Sequence, residues 1–132
     1  PKGRFNLVVF GDQARVWRSD MQIASESQIR AGQAWAKRQT PKGGTHLHLG
    51  IQAALGIDRD GELDPDELEV DTLVVLCDGK TASGPNWVTP FLRRYRAHTG
   101  VVVHGVQIGA GGDGTLEALA EGSGGKFVRV ED

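Results

Sequence analysis

At 132 residues the chain suits one domain and is too short for two of ordinary size. Its 39% hydrophobic and 24% charged residues, with a net charge of -2, exclude a disordered chain and give no global field toward nucleic acid or an anionic membrane. The longest apolar runs, such as Leu73–Cys77, are far too short to cross a bilayer, no secretory pattern opens the chain, and one cysteine excludes an internal disulfide.

Glycine is the unusual component at 19 residues, nine of them clustered within Gly43–Gly44, Gly109–Gly114 and Gly122–Gly125, which points to structured turns. Pro1-Lys2-Gly3 stands first without methionine, so the expectation is a piece of a longer polypeptide. Phe5–Phe10 is apolar on both faces and reads as an interior strand; Ala14–Trp17, shorter and more polar, reads as its antiparallel edge partner. Ser25-Glu26-Ser27-Gln28 is a capping-box pattern, with a helix expected to about Gln39, before Pro41. Leu47, Ile51, Ala54 and Leu55 lie on one face of a second helix that Thr45 is placed to cap.

Beyond an acidic loop, Thr72–Cys77 is continuously apolar, as in strands buried within parallel sheets. Thr89-Pro90 starts a third helix that Gly100 ends, and Val101–Ile108 is another buried strand. Leu116, Leu119 and Ala120 mark a short helix, and Phe127–Val130 a last strand. Strands alternating with helices define an α/β fold with a mostly parallel sheet, and no repeat or internal boundary interrupts it.

Four segments in this order resemble a von Willebrand factor A domain over nearly the whole chain. The hairpin Arg4–Phe10 with Ala14–Val16 resembles that family's second and third strands. Gly43-Gly44-Thr45 before an amphipathic helix resembles its metal-loop threonine, and Thr72–Cys77 followed by Asp78-Gly79 resembles the strand ending in its metal-loop aspartate. The tail from Val103 through Lys126-Phe127 is similar to its fifth strand, short helix and sixth strand. The resemblance implies a Rossmann-like, doubly wound sheet with one antiparallel edge strand, over a partial domain spanning 1–132. It also implies a Mg²⁺ site (or Mn²⁺ or Ca²⁺) with Thr45 and Asp78 among its ligands, coordinating an acidic side chain of a partner protein.

A helix preceding a parallel strand runs antiparallel to it, so Thr45 and Asp78 are expected on one rim, at the carboxyl ends of the strands. One coordination shell would hold their oxygens within about 6 Å. The family's D-x-S-x-S after its first, central strand occurs nowhere in the sequence, and its last helix is not found before Asp132. An upstream segment or a second chain is therefore expected to fill the gap between Phe5–Phe10 and Thr72–Cys77 and to complete the metal site. The alternative is a degenerate, metal-free structural domain.

Other patterns compete. Gly109–Gly114 is a literal G-x-G-x-x-G between a strand and a helix, the signature of a dinucleotide-binding half-domain. The helix is only about two turns long and no second half follows, so a plain glycine loop is the simpler reading. Asp58–Glu67 fits an EF-hand at several positions, but Gly56 stands where the first ligand belongs, which favours a solvated acidic insertion over calcium binding. His46 and His48 cannot share one side of a helix, and His98, His104, Cys77 and the three tryptophans read as structural. Without a convincing general base or nucleophile, the chain is read as a non-enzymatic interaction or adhesion module with no nucleic-acid or membrane-inserted role.

Overall fold

A computed structural model describes residues 3–39, 45–58, 60–64, 66, 68–82 and 84–131, without the side chains of 96–98. Gly43, Gly44, Arg59, Pro65, Glu67 and the His98 side chain, all drawn into the sequence reading, lie outside the described residues. The chain divides into two compact units, Pro1–Leu63 and Asp64–Asp132.

The first unit holds β1 (Arg4–Phe5), β2 (Val8–Phe10), β3 (Ala14–Val16), β4 (Gln22–Ile23), α1 (Glu26–Arg38) and α2 (Leu47–Leu55). The expected hairpin is present: β2 pairs antiparallel with β3, Val8 opposite Val16 and Phe10 opposite Ala14. Phe5–Phe10 is not one interior strand, however. It breaks at Asn6, whose Oδ1 accepts the Leu7 and Arg18 amides at 2.8 and 3.2 Å and whose Nδ2 donates to the Arg18 carbonyl at 2.8 Å. These side-chain bonds replace ladder bonds there, and β1 pairs antiparallel with β4 instead.

In α1 the Ser25 hydroxyl accepts the Gln28 amide at 3.3 Å, but the reciprocal arm of the capping box is not made. The Ser25 N–H donates to the Ile23 carbonyl at 2.7 Å, and Gln28 Oε1 is buried with no partner among the described residues. Gly32 lets Phe5, Leu7 and Trp17 approach the helix. On α2, Leu47, Ile51 and Leu55 of the predicted face are buried and Ala54 is half-buried, while Gly50, not predicted, is buried too, with Phe10 against it. His46, not Thr45, stands at the N-cap, and it makes no side-chain cap bond. The His46 N–H donates to the Gly11 carbonyl at 3.1 Å, which fixes the entry of the helix one residue later than the Thr45 cap requires. Gly56, at φ 73°, closes the helix in a Schellman arrangement with Ile57 N–H on the Gln52 carbonyl.

The second unit holds β5 (Thr72–Cys77), α3 (Val88–Thr99), β6 (Val102–Ile108), α4 (Thr115–Ser123) and β7 (Phe127–Val130). Its sheet is parallel throughout in the order β5-β6-β7, with Val75 beside Gly105 and Gly105 beside Phe127. Pro90 sits in the first turn of α3, where its missing N–H has no helical partner to lose. Val75, Val103, Leu116, Leu119 and Ala120 form the core between the sheet and α4. Gly105 allows Leu116 onto β6, since a Cβ there would lie 2.6 Å from the leucine Cγ. The buried Ser123 hydroxyl accepts the Val103 N–H at 2.9 Å, tying α4 to the same strand.

The expectation that Thr72–Cys77 is covered on both faces is not met. Val75 is buried, whereas Val74 and Leu76 on the opposite face are 69% and 60% exposed, as Val128 and Val130 on β7 are 50% and 40% exposed. Alternation along the strand sends these side chains away from α4. Among the described residues, β5 pairs with β6 along one edge only.

Candidate functional site

Strand β5 delivers Asp78 to the carboxyl end of the parallel sheet, the end at which ligands bind in open α/β folds. Asp78 is exposed, and its Oδ1 accepts the Lys80 N–H at 2.9 Å, closing an Asx-type turn. Gly79 enters that turn at φ 83°, a conformation that disfavours any side chain. A Cβ at Gly79 would also lie 2.7 Å from Gln107 Oε1 and 3.0 Å from the Gly112 Cα. The loops after β5 and β6 thus meet across the Gln107 carboxamide, which is 3% exposed and donates through Nε2 to the Gly109 carbonyl at 2.8 Å.

Asp113 joins the same two loops. Its Oδ2 accepts the Thr81 N–H at 2.9 Å and the Thr81 hydroxyl at 2.8 Å; its Oδ1 accepts the Thr115 N–H at 3.0 Å. The Asp113 N–H donates to the Gly79 carbonyl at 2.9 Å. Thr81 and Thr115 hydroxyls lie 3.2 Å apart. The Gly84 N–H then donates to Thr81 Oγ1 at 3.1 Å, extending the network along the loop.

Desolvation works to raise the Asp113 carboxyl, but the hydrogen bonds from Thr115 and Thr81 outweigh it and hold the group below its ordinary value. Half-buried Cys77 is shifted the other way: burial raises the thiol, a Gly79 backbone hydrogen bond offsets part of this, and the Asp78 and Asp113 carboxylates add to the rise. A neutral, partly covered thiol is a poor nucleophile.

Of the two residues predicted as metal ligands, Thr45 belongs to the first unit and Asp78 to the second. Thr45 is half-buried and directly precedes the helix start, and His46 Nε2 lies 3.7 Å from Asp12 Oδ1. No group of three or more His, Cys, Asp or Glu side chains suited to a metal occurs among the described residues. An oxygen site built from hydroxyls and a single carboxylate contains no such group.

The glycine loop Gly109–Gly114 does not have the form of a phosphate cradle. At the start of α4, where a pyrophosphate would lie, the Asp113 carboxylate already accepts the Thr115 N–H, and Gln107 packs against Gly112. In the acidic loop, Asp58 Oδ1 is engaged by the Asp60 and Glu62 amides at 2.9 Å each, and Asp64 Oδ1 by the Asp66 amide at 3.0 Å. His104 Nδ1 accepts the Lys126 N–H at 3.0 Å, a structural role between β6 and β7. Thr81, Gln107, Asp113 and Thr115 were not singled out in the sequence. Asp113-Gly114-Thr115 ahead of an amphipathic run was the available signal for a carboxylate at a helix start, and Gln107 stands out as a polar residue within an apolar strand.

Residues 1–128 match the family described as von Willebrand factor type A domain. The chain is 27% identical over 85 residues to inter-alpha-trypsin inhibitor heavy chain H2 of Sus scrofa and 29% identical over 85 residues to that of Mesocricetus auratus. Each match takes in 61% of this chain and 9% of the relative, so the chain spans only a small part of those proteins. Among solved structures it aligns with an uncharacterized membrane spanning protein from Vibrio fischeri at 20% identity and a TM-score of 0.33, covering 96% of this chain and 67% of that one.

Proposed function

Because this chain belongs to the von Willebrand factor type A domain family, we propose that it acts as a non-enzymatic protein-interaction module whose partner contributes a carboxylate to a divalent cation held on the sheet rim. The observation that carries the reading is Asp78. It is an exposed carboxylate at the carboxyl end of a parallel strand, on a turn fixed by Gly79 and by the loop after β6. Thr45 is the second ligand in this reading, and it stands one residue before His46, the N-cap of α2. Both donors suit Mg²⁺, which takes hard oxygens and leaves positions for water or an incoming carboxylate. When bound, the ion supplies the positive charge that an acidic partner side chain meets. Thr45 and Asp78 orient it from the protein side.

In this reading 1–132 is a partial domain, and a doubly wound sheet is completed along the open edge of β5 by a strand from an upstream segment or a second chain. Two features support it. Parallel sheets are stable when covered on both faces, and here Val74, Leu76, Val128 and Val130 offer one apolar face. The sequence also lacks D-x-S-x-S, so the added strand is the expected source of the remaining ligands.

Thermal unfolding of the completed assembly with and without Mg²⁺ tests the proposal. A ligand at 100 times its Kd stabilises by about 2.7 kcal/mol. That gain is expected in the wild type and absent in Asp78→Ala, with the fold retained. Equal stabilisation of the two proteins would eliminate Asp78 as a ligand, and no Mg²⁺ response in either would point to a metal-free structural domain.

A further inference from the structure

We infer that Asp113 is a positioning residue for Asp78, holding the turn that carries the rim carboxylate against the α4–β6 core. The inference rests on the reading of Asp78 as a metal ligand. Asp113 grips the turn on both sides of Lys80: its N–H donates to the Gly79 carbonyl, and its Oδ2 takes the N–H and hydroxyl of Thr81. Between those anchors stands the Lys80 N–H, the group that sets the direction of the Asp78 carboxylate. Oδ1 meanwhile accepts the N–H of fully buried Thr115, so the turn is referred to a packed helix and not to an exposed loop.

The division of the two oxygens explains why a carboxylate stands here. One oxygen serves the β5 loop and the other serves α4, and both are engaged by donors of the chain itself. An asparagine has only one acceptor oxygen and must release one side. Asp113 therefore acts through Asp78 and does not stand beside it as a further ligand. Sequence separation hides the relation, since Thr81 and Asp113 stand 32 positions apart.

The test compares wild type, Asp113→Ala, Thr81→Val, Thr81→Ser and Asp78→Ala in the intact protein. It reads amide hydrogen exchange without metal and the affinity for Mg²⁺ alone. Asp113→Ala and Thr81→Val are expected to speed exchange at Lys80 and to weaken Mg²⁺ binding by about tenfold or more. Thr81→Ser, which keeps the hydroxyl, is expected to match the wild type in both. Unchanged exchange at Lys80 in Asp113→Ala overturns the inference, as does unchanged Mg²⁺ affinity where Asp78→Ala abolishes it. If the wild type takes up no Mg²⁺, the ligand reading of Asp78 fails on its own and the Lys80 amide decides the role of Asp113. If Asp113→Ala loses protection throughout α4 and β6, Thr81→Val carries the test, because it leaves the bond from Thr115 to Asp113 in place.

Discussion

Asp113 shows how a partly exposed carboxyl group can be held ionised by its neighbours. Partial desolvation opposes the charge, while donors from Thr115 and Thr81 favour it and prevail, so the folded pKa lies below the unfolded one. The sign of the linkage follows. The stabilisation is complete above the unfolded value, about 3.9 for Asp, and is lost as pH falls through the lower folded value. The difference in melting temperature between wild type and Asp113→Ala should therefore be constant near neutral pH and shrink in acid; a difference that grows on acidification would contradict this. Gly125 makes a steric counterpart. A Cβ there would run into the Val103 carbonyl, so Gly125→Ala should cost at least about 2 kcal/mol in denaturant unfolding.

At the scale of elements, α1 separates the two arms of its start signal. The Ser25 hydroxyl caps the Gln28 amide, so Ser25→Ala should cost about 1 kcal/mol. The Gln28 side chain makes no return bond, and its buried acceptor has no partner among the described residues. Gln28→Met should then be neutral or stabilising, since removing an unsatisfied buried acceptor removes its desolvation penalty. Chemical denaturation of the two variants side by side checks both signs. The parallel sheet makes a different demand. Replacing Val74 and Leu76 together by Thr should leave the α4 side of the sheet intact, because both side chains point away from it. The same pair should weaken any assembly that covers this face, since full burial of one such side chain contributes about 1.5–3 kcal/mol. Unaltered assembly in the double variant would show that the face stays open.

For the molecule as a whole, the proposed function depends on what meets the rim at Asp78. Chelation with EDTA should lower the melting temperature of the Mg²⁺-loaded wild type and leave Asp78→Ala unmoved. The contrast isolates the carboxylate from general salt effects, which would act on both proteins alike. A network that draws on β5, β6 and α4 also couples the rim to the core of the second unit. Rim variants should accordingly alter amide exchange at Lys80 and Thr81 well before they alter the protected amides of β6.

The elements were legible because their signals are local. Thr72–Cys77, the α2 face of Leu47, Ile51 and Leu55, the hairpin of Val8–Phe10 with Ala14–Val16, and the last strand at Phe127 all follow from short-range periodicity. The position of Asp78 at the carboxyl end of β5 was legible as well, since a residue directly after an apolar strand has one place to go in an α/β fold. The break at Asn6 was not, because its bonds go to Arg18, twelve residues away. Nor was the helix start at His46, which a carbonyl from Gly11 decides, or the exposure of Val74 and Leu76, which depends on what packs against the sheet. The Asp113 clasp belongs to the same class. Periodicity and capping are written in neighbouring residues, whereas a side chain's partner across 32 residues exists only once the strands have brought two loops to the same end of the sheet.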